Sequence, residues 1–252
     1  MLEALGFSFG EFAWCGAVLF IAALVRGYSG FGFSSILMAG LTLVLPVAAI
    51  VPLSVALEVL ASIGQARGIW SDIDKRQLPL LLLAGLVGTP VGVLILVEVP
   101  AEPLRVMILV FIFAASLILL LSRWHLFSMS SLAFVLAGFV AGLVNGAAAM
   151  SGMVLALFFT LTGASPTVMR ATMIAYFFVT DIWTGAILAA SGFFDGVTVL
   201  RIGVSLPFLG LGLWLGTSRF RATSPVTFRT YILWLLVLLC SVGLLRIVVS
   251  QT

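Results

Sequence analysis

At 252 residues, 63% of them hydrophobic and only 8% charged, with a mean hydropathy of +1.31, the chain cannot cover its own surface in water. Soluble domains carry about 25% charged residues, so a soluble enzyme or binding module is excluded. What remains is an all-α, polytopic membrane protein with room for about ten spans of ~20 residues. The net charge of +3 comes mostly from basic residues in short loops, where the positive-inside bias explains it without a nucleic-acid partner. Cys15 and Cys240 lie far apart in apolar runs and read as small hydrophobes, neither a disulfide nor a metal pair. No basic residue precedes Arg26, so the first residues do not read as a cleaved signal peptide.

Polar and Pro/Gly punctuation divides the chain into ten apolar segments. The first runs from about Gly10 to Val25 and the second from Phe31 to Leu45; Pro46 opens the third, which reaches Ala66. After a polar stretch from Arg67 to Gln77, the fourth covers Leu78 to Val97 and the fifth Pro103 to Leu121. The sixth spans Ser131 to Val144, the seventh Met150 to Leu161, the eighth Pro166 to Ser191, the ninth Val199 to Gly216 and the tenth Thr227 to Val249. Segments one, two, six and seven fall short of a straight span. They are expected to tilt, or to be half-helices that meet at a break.

The second five segments repeat the plan of the first. Leu24-Val25-Arg26-Gly27 matches Leu143-Val144-Asn145-Gly146 at an offset of 119, and Pro103–Leu109 resembles Val226–Leu233. Two repeats are therefore expected, residues 1–124 and 125–252, of a kind common in secondary transporters. With the Arg67–Gln77 loop in the cytoplasm, an odd number of crossings per repeat also puts Arg123, Arg170, Arg219, Arg221 and Arg229 inside, with the break at Arg26 on the same side. Only Arg105, Arg201 and Arg246 are left outside. An odd count makes the repeats inverted and places both termini outside. One crossing per segment and a re-entrant hairpin for each short pair satisfy the charges equally.

The most informative stretch is Val25-Arg26-Gly27-Tyr28-Ser29-Gly30-Phe31-Gly32-Phe33-Ser34-Ser35, read as an arginine and three glycines interrupting two helices. Broken backbone in a membrane survives only when buried in protein or lining a wet cavity. The free N–H groups of segment two, with Arg26, Ser29, Gly30, Gly32 and Ser34, make an expected anion site. For Arg26 the alternative is snorkelling to the interface. Asn145-Gly146-Ala147-Ala148-Ala149-Met150-Ser151-Gly152 is the matching break, with Asn145 and Ser151 expected to face the first. Arg170 reaches the anion from the cytoplasmic side or simply marks that side.

Glu58 and Asp181 lie deep in apolar segments, where a charge costs roughly 2.5–3.5 kcal/mol. Either is a candidate for carrying a coupling proton; the alternative is a buried partner for Arg26 or Arg170. Under the offset of 119, Asp181 aligns with Ser62, one turn from Glu58, and Thr180 and Thr184 are expected to share its polar contacts. The spacings Gly88-x3-Gly92, Gly138-x3-Gly142-x3-Gly146 and Gly212-x3-Gly216 read as close helix packing. Gly27-Tyr28-Ser29-Gly30 has the form used by intramembrane serine proteases, but the sole histidine, His125, stands at a span end and makes a poor partner for Ser29. No catalytic residues, metal ligands or cofactor are expected.

The Gly27–Gly32 break, the proline-started third segment and Gly88-Thr89-Pro90-Val91-Gly92, taken in this order with the duplicated layout, resemble the sulfite exporter TauE/SafE family over nearly the whole chain. The resemblance implies export or uptake of a sulfur-containing anion, sulfite or an organosulfonate, driven by the proton gradient. The first cluster has fewer consecutive glycines than is usual there, and the second is eroded to Asn-Gly-Ala-Ala-Ala. The expected setting is a bacterial inner (plasma) membrane. The expected partners are a small anion and the bilayer, with a homodimer compatible with the sequence. A passive anion channel is the competing expectation.

Overall fold

A computed structural model describes residues 6–67, 69–121, 130–219 and 225–251. Among them are ten α-helices and no strand: α1 (Phe9–Ser29), α2 (Phe33–Leu41), α3 (Val47–Gln65), α4 (Leu78–Glu98), α5 (Ala101–Leu121), α6 (Ser131–Ala148), α7 (Ser151–Thr162), α8 (Pro166–Ala190), α9 (Gly196–Arg219) and α10 (Pro225–Gln251). Eight are long and apolar enough to cross a membrane; α2 and α7 are not. Arg123, His125 and Arg221 lie outside the described residues.

Helices one and six run further than their apolar stretches suggest. Arg26 and Gly27 belong to the last turn of α1, and Asn145 to the last turn of α6. Only Gly30–Gly32 and Ala149–Met150 interrupt the backbone. Helix α1 holds on through its arginine because Gly30, in the left-handed region at φ 81°, returns its N–H to the Arg26 carbonyl and ends the helix there. At the repeat-equivalent position, Ala149 takes the same conformation at φ 56° and donates to Asn145 and Val144. Erosion of the second glycine cluster therefore kept the break.

The short helices fold back. Helix α2 returns beside α1: the Trp14 indole donates to the Gly40 carbonyl at 3.0 Å, and Val18 packs on Gly40. Helix α7 returns beside α6, where Phe134 meets Phe158 and Phe159 edge-on at 4.9 and 6.5 Å. Both short pairs thus fold back on themselves, and α2 and α7 are shorter than the eight candidate spans among the described residues. Arg246 near the end of α10 donates to Leu43, in the turn before α3. The turn leaving the first hairpin and the C-terminal end of the chain therefore share one end of the bundle. The second hairpin opens at the other end, near the Arg67–Gln77 stretch, whose Asp74 N–H bonds Thr172 in the second turn of α8.

Two helix pairs bring their backbones into contact. Helix α4 lies along α6, and α1 along α9. Gly88 and Gly92 meet backbone atoms of Phe139, Leu143 and Gly146; Gly212 and Gly216 meet those of Phe20, Leu24 and Gly27. At offsets of 119 and 124 these are equivalent atoms, and Gly146 meets Thr89, Gly92 and Val93 as Gly27 meets Leu213, Gly216 and Thr217. A side chain at any of these positions would collide with main chain. The glycine spacings are helix-packing surfaces, as small residues in membrane helices are.

Candidate functional site

The site forms where the end of α1 crosses α3 and α8. The Arg26 side chain is fully buried, and an isolated buried guanidinium is expensive. Its charge is met by Glu58, with Nε 3.1 Å from Oε2. Nη2 donates to Ser62 Oγ at 2.9 Å, Nη1 donates to the Gly30 carbonyl, and the Phe177 ring lies 4.6 Å under the guanidinium. Glu58 also accepts from Ser34 Oγ, at the start of α2, at 2.8 Å. Helix α3 supplies Glu58, Ser62 and Gln65 at the four- and three-residue steps that stack on one helical face.

The carbonyls at the end of α1 need external donors. The Gln65 amide reaches those of Arg26 and Gly27 at 3.2 and 3.4 Å. Arg170 Nη2 and Thr217 Oγ1 join at Gly27, at 3.2 and 3.3 Å. Arg170 also packs its stem against Gly30, so it braces the break from α8.

The second half builds a parallel arrangement. Asn145 Nδ2 donates to Asp181 Oδ1 at 2.8 Å and to Thr184 Oγ1 at 2.9 Å. Its Oδ1 accepts from Ser151 Oγ at 3.1 Å. At the offset of 119, Arg26 corresponds to Asn145, Ser62 to Asp181, Gln65 to Thr184 and Glu58 to Phe177. In each half the residue near the hairpin's end therefore bonds the same positions of the following long helix. Gly152 packs beside Phe31 and Gly32, so the two hairpin tips meet. Arg26, Asn145, Ser151 and Asp181 are all at most 2% exposed, so the cluster is closed to solvent.

Of the remaining expected residues, Ser29 has its hydroxyl within 2.8 and 2.7 Å of the Val25 and Phe31 carbonyls, either of which its single proton can reach, and accepts from the Phe31 N–H, which closes the turn. Gly30 and Gly32 both hold positive φ. Thr180 bonds back to the Tyr176 carbonyl, so Asp181 shares polar contacts with Asn145 and, through it, with Thr184. Gln65 and Phe177 were not foreseen; the repeat offset applied to Glu58 points directly to Phe177. Among the described residues no group of three or more His, Cys, Asp or Glu side chains is arranged to hold a metal ion.

The family model for the sulfite exporter TauE/SafE matches residues 15–242. The chain belongs to that family. No curated protein and no solved structure matches it. TauE/SafE proteins are transporters and not enzymes, so Ser29 is no protease nucleophile. This member is an integral membrane transporter with eight candidate spans among its described residues, working on an anionic substrate within a lipid bilayer.

Proposed function

We propose that this TauE/SafE protein is a proton-coupled secondary carrier of a small sulfur-containing anion, sulfite or an organosulfonate. Arg26 is the anion's principal ligand, with Ser34 and the start of α2 beside it and Asn145 and Ser151 opposite. The observation that carries this reading is a fully buried arginine at the place where two broken hairpins meet. A buried cation there is costly and is retained where a substrate needs it. The adjacent cluster holds two carboxyls, Glu58 and Asp181, beside Arg26, with Arg170 at the edge of the same break, and either carboxyl is a candidate for the coupling proton.

The chain is best read as two inverted copies, 1–124 and 125–252. Equivalent helix pairs, equivalent backbone contacts at the glycines and hairpins entering from opposite ends support that reading. It sets the Arg67–Gln77 loop in the cytoplasm of a bacterial plasma membrane and both termini outside. The test is binding of sulfite, sulfoacetate and sulfate to purified protein, with Arg26→Ala alongside. Affinity unchanged in the variant would remove Arg26 from the site. Proteoliposome flux that ignores an imposed pH gradient would remove the coupling, and flux without saturation would point to a channel.

A further inference from the structure

Glu58 sits where an oxyanion bound to Arg26 would sit. One carboxylate oxygen takes the Ser34 hydroxyl at 2.8 Å. The other lies 3.1 Å from Arg26 Nε, yet neither that oxygen nor Nε makes an aligned hydrogen bond. The contact is charge against charge, without the two parallel bonds of a well-made arginine–carboxylate pair. The other two arms of the guanidinium are bound to neutral oxygens, of Ser62 and Gly30. Phe177 covers one face, so anionic oxygen has access at the edge that Glu58 fills.

Resting on the assignment of Arg26 to the anion site, we propose that Glu58 is a tethered stand-in for the transported anion. In the closed, empty carrier its carboxylate occupies the cradle formed by Arg26 Nε and Ser34 Oγ. A proton from solvent forms an O–H bond on Glu58, the charge that held it to Arg26 is lost, and the oxyanion takes its place. Release reverses the step: the anion leaves, Glu58 gives up its proton and closes again on Arg26. One proton and one anion therefore travel in the same direction, which makes the cycle electroneutral for a monoanion such as a sulfonate.

The surroundings of Glu58 fit an exchange of this kind. From α1 it faces Arg26 and from α2 the neutral Ser34; on α8 the apolar Phe177 lies against Arg26, with Asp181 and Arg170 on the same helix. Asp181 is separately held by Asn145. On α5, Glu102 and Arg105 face each other at 3.8 Å in the first turns, and on α9 Arg201 lines a different cavity with Leu53 and Phe208. Arg26 is the cation that Glu58 neutralises.

The experiment is titration calorimetry of the purified full chain with methanesulfonate, which does not itself take up a proton near neutral pH. Sulfite and sulfoacetate follow as further probes, in buffers of differing ionisation enthalpy. The wild type is expected to take up one proton per anion and to lose affinity tenfold per pH unit on the alkaline limb. Glu58→Gln is expected to bind at least as tightly, with no proton uptake and no pH slope, whereas Asp181→Asn and Glu58→Asp keep the slope. A slope abolished by Asp181→Asn and kept by Glu58→Gln would overturn the exchange while leaving the anion site standing. So would wild-type binding without proton uptake. If none of these sulfur anions binds the wild type at all, the underlying function falls and the exchange with it.

Discussion

At the scale of single residues, Arg26 and Glu58 are each tolerable only because of the other. Breaking a buried pair from one side costs about 3–5 kcal/mol, whereas replacing both partners by apolar groups is often near neutral. Arg26→Leu should therefore lower the melting temperature in detergent more than Arg26→Leu combined with Glu58→Leu; equal losses would show that the charges do not depend on each other. Ala149 offers a second test. An L-residue in the left-handed helical region costs about 1–2 kcal/mol, and glycine's extra chain entropy returns roughly 0.5–1 kcal/mol of that. Ala149→Gly should thus stabilise the protein by roughly 0.5–1 kcal/mol, read as a raised melting temperature. The charged residues of the site stood out in the sequence because charge is rare in apolar segments. Phe177 did not, since one aromatic among twenty phenylalanines carries no signal until the repeat offset pairs it with Glu58.

At the scale of elements, the glycine pairs set the geometry. A side chain at Gly92 would be driven into the Leu143 carbonyl, and one at Gly216 into that of Leu24. Overpacking of this sort typically costs about 1–3 kcal/mol. Gly92→Leu and Gly216→Leu should both destabilise, and by similar amounts, in thermal unfolding; a large difference would argue against equivalent packing in the two halves. The long helices were legible within a few residues because Pro, Gly and polar clusters bound them: α4 is Leu78–Glu98 where an apolar run to Val97 was expected, and α8 ends one residue early. The ends of α1 and α6 were not. Arginine and asparagine read as interruptions, yet both complete a helical turn once α3 and α8 supply their partners.

At the scale of the whole molecule, the all-helical fold class could be read from composition, but the folding back of the short pairs could not. A short pair that crosses twice and one that turns back place every loop arginine on the same side, so charge is blind to the choice. Contacts far apart in sequence, such as Trp14 with Gly40, show that the first short pair folds back on itself. The proposed topology predicts that Lys75→Cys and Glu98→Cys, in a chain with Cys15 and Cys240 replaced by serine, react with a membrane-impermeant thiol reagent from opposite sides. Labelling from one side only would require a different number of crossings between them.

The backbone contacts at Gly27, Gly92, Gly146 and Gly216 also restrict how such a carrier can move. Each hairpin is zipped to a long helix from the other half of the chain, the first to α9 and the second to α4. Swinging one half of the chain past the other would prise apart both zippers, where helix backbones meet directly. The pieces able to travel intact are mixed: α1, α2 and α9 as one body, α6, α7 and α4 as the other. Arg26 and Asn145 ride on different bodies, while Glu58 and Asp181 stand on the helices between them. The proposed carrier would then alternate access by sliding each body along α3 and α8, changing which polar side chains meet at the hairpin tips.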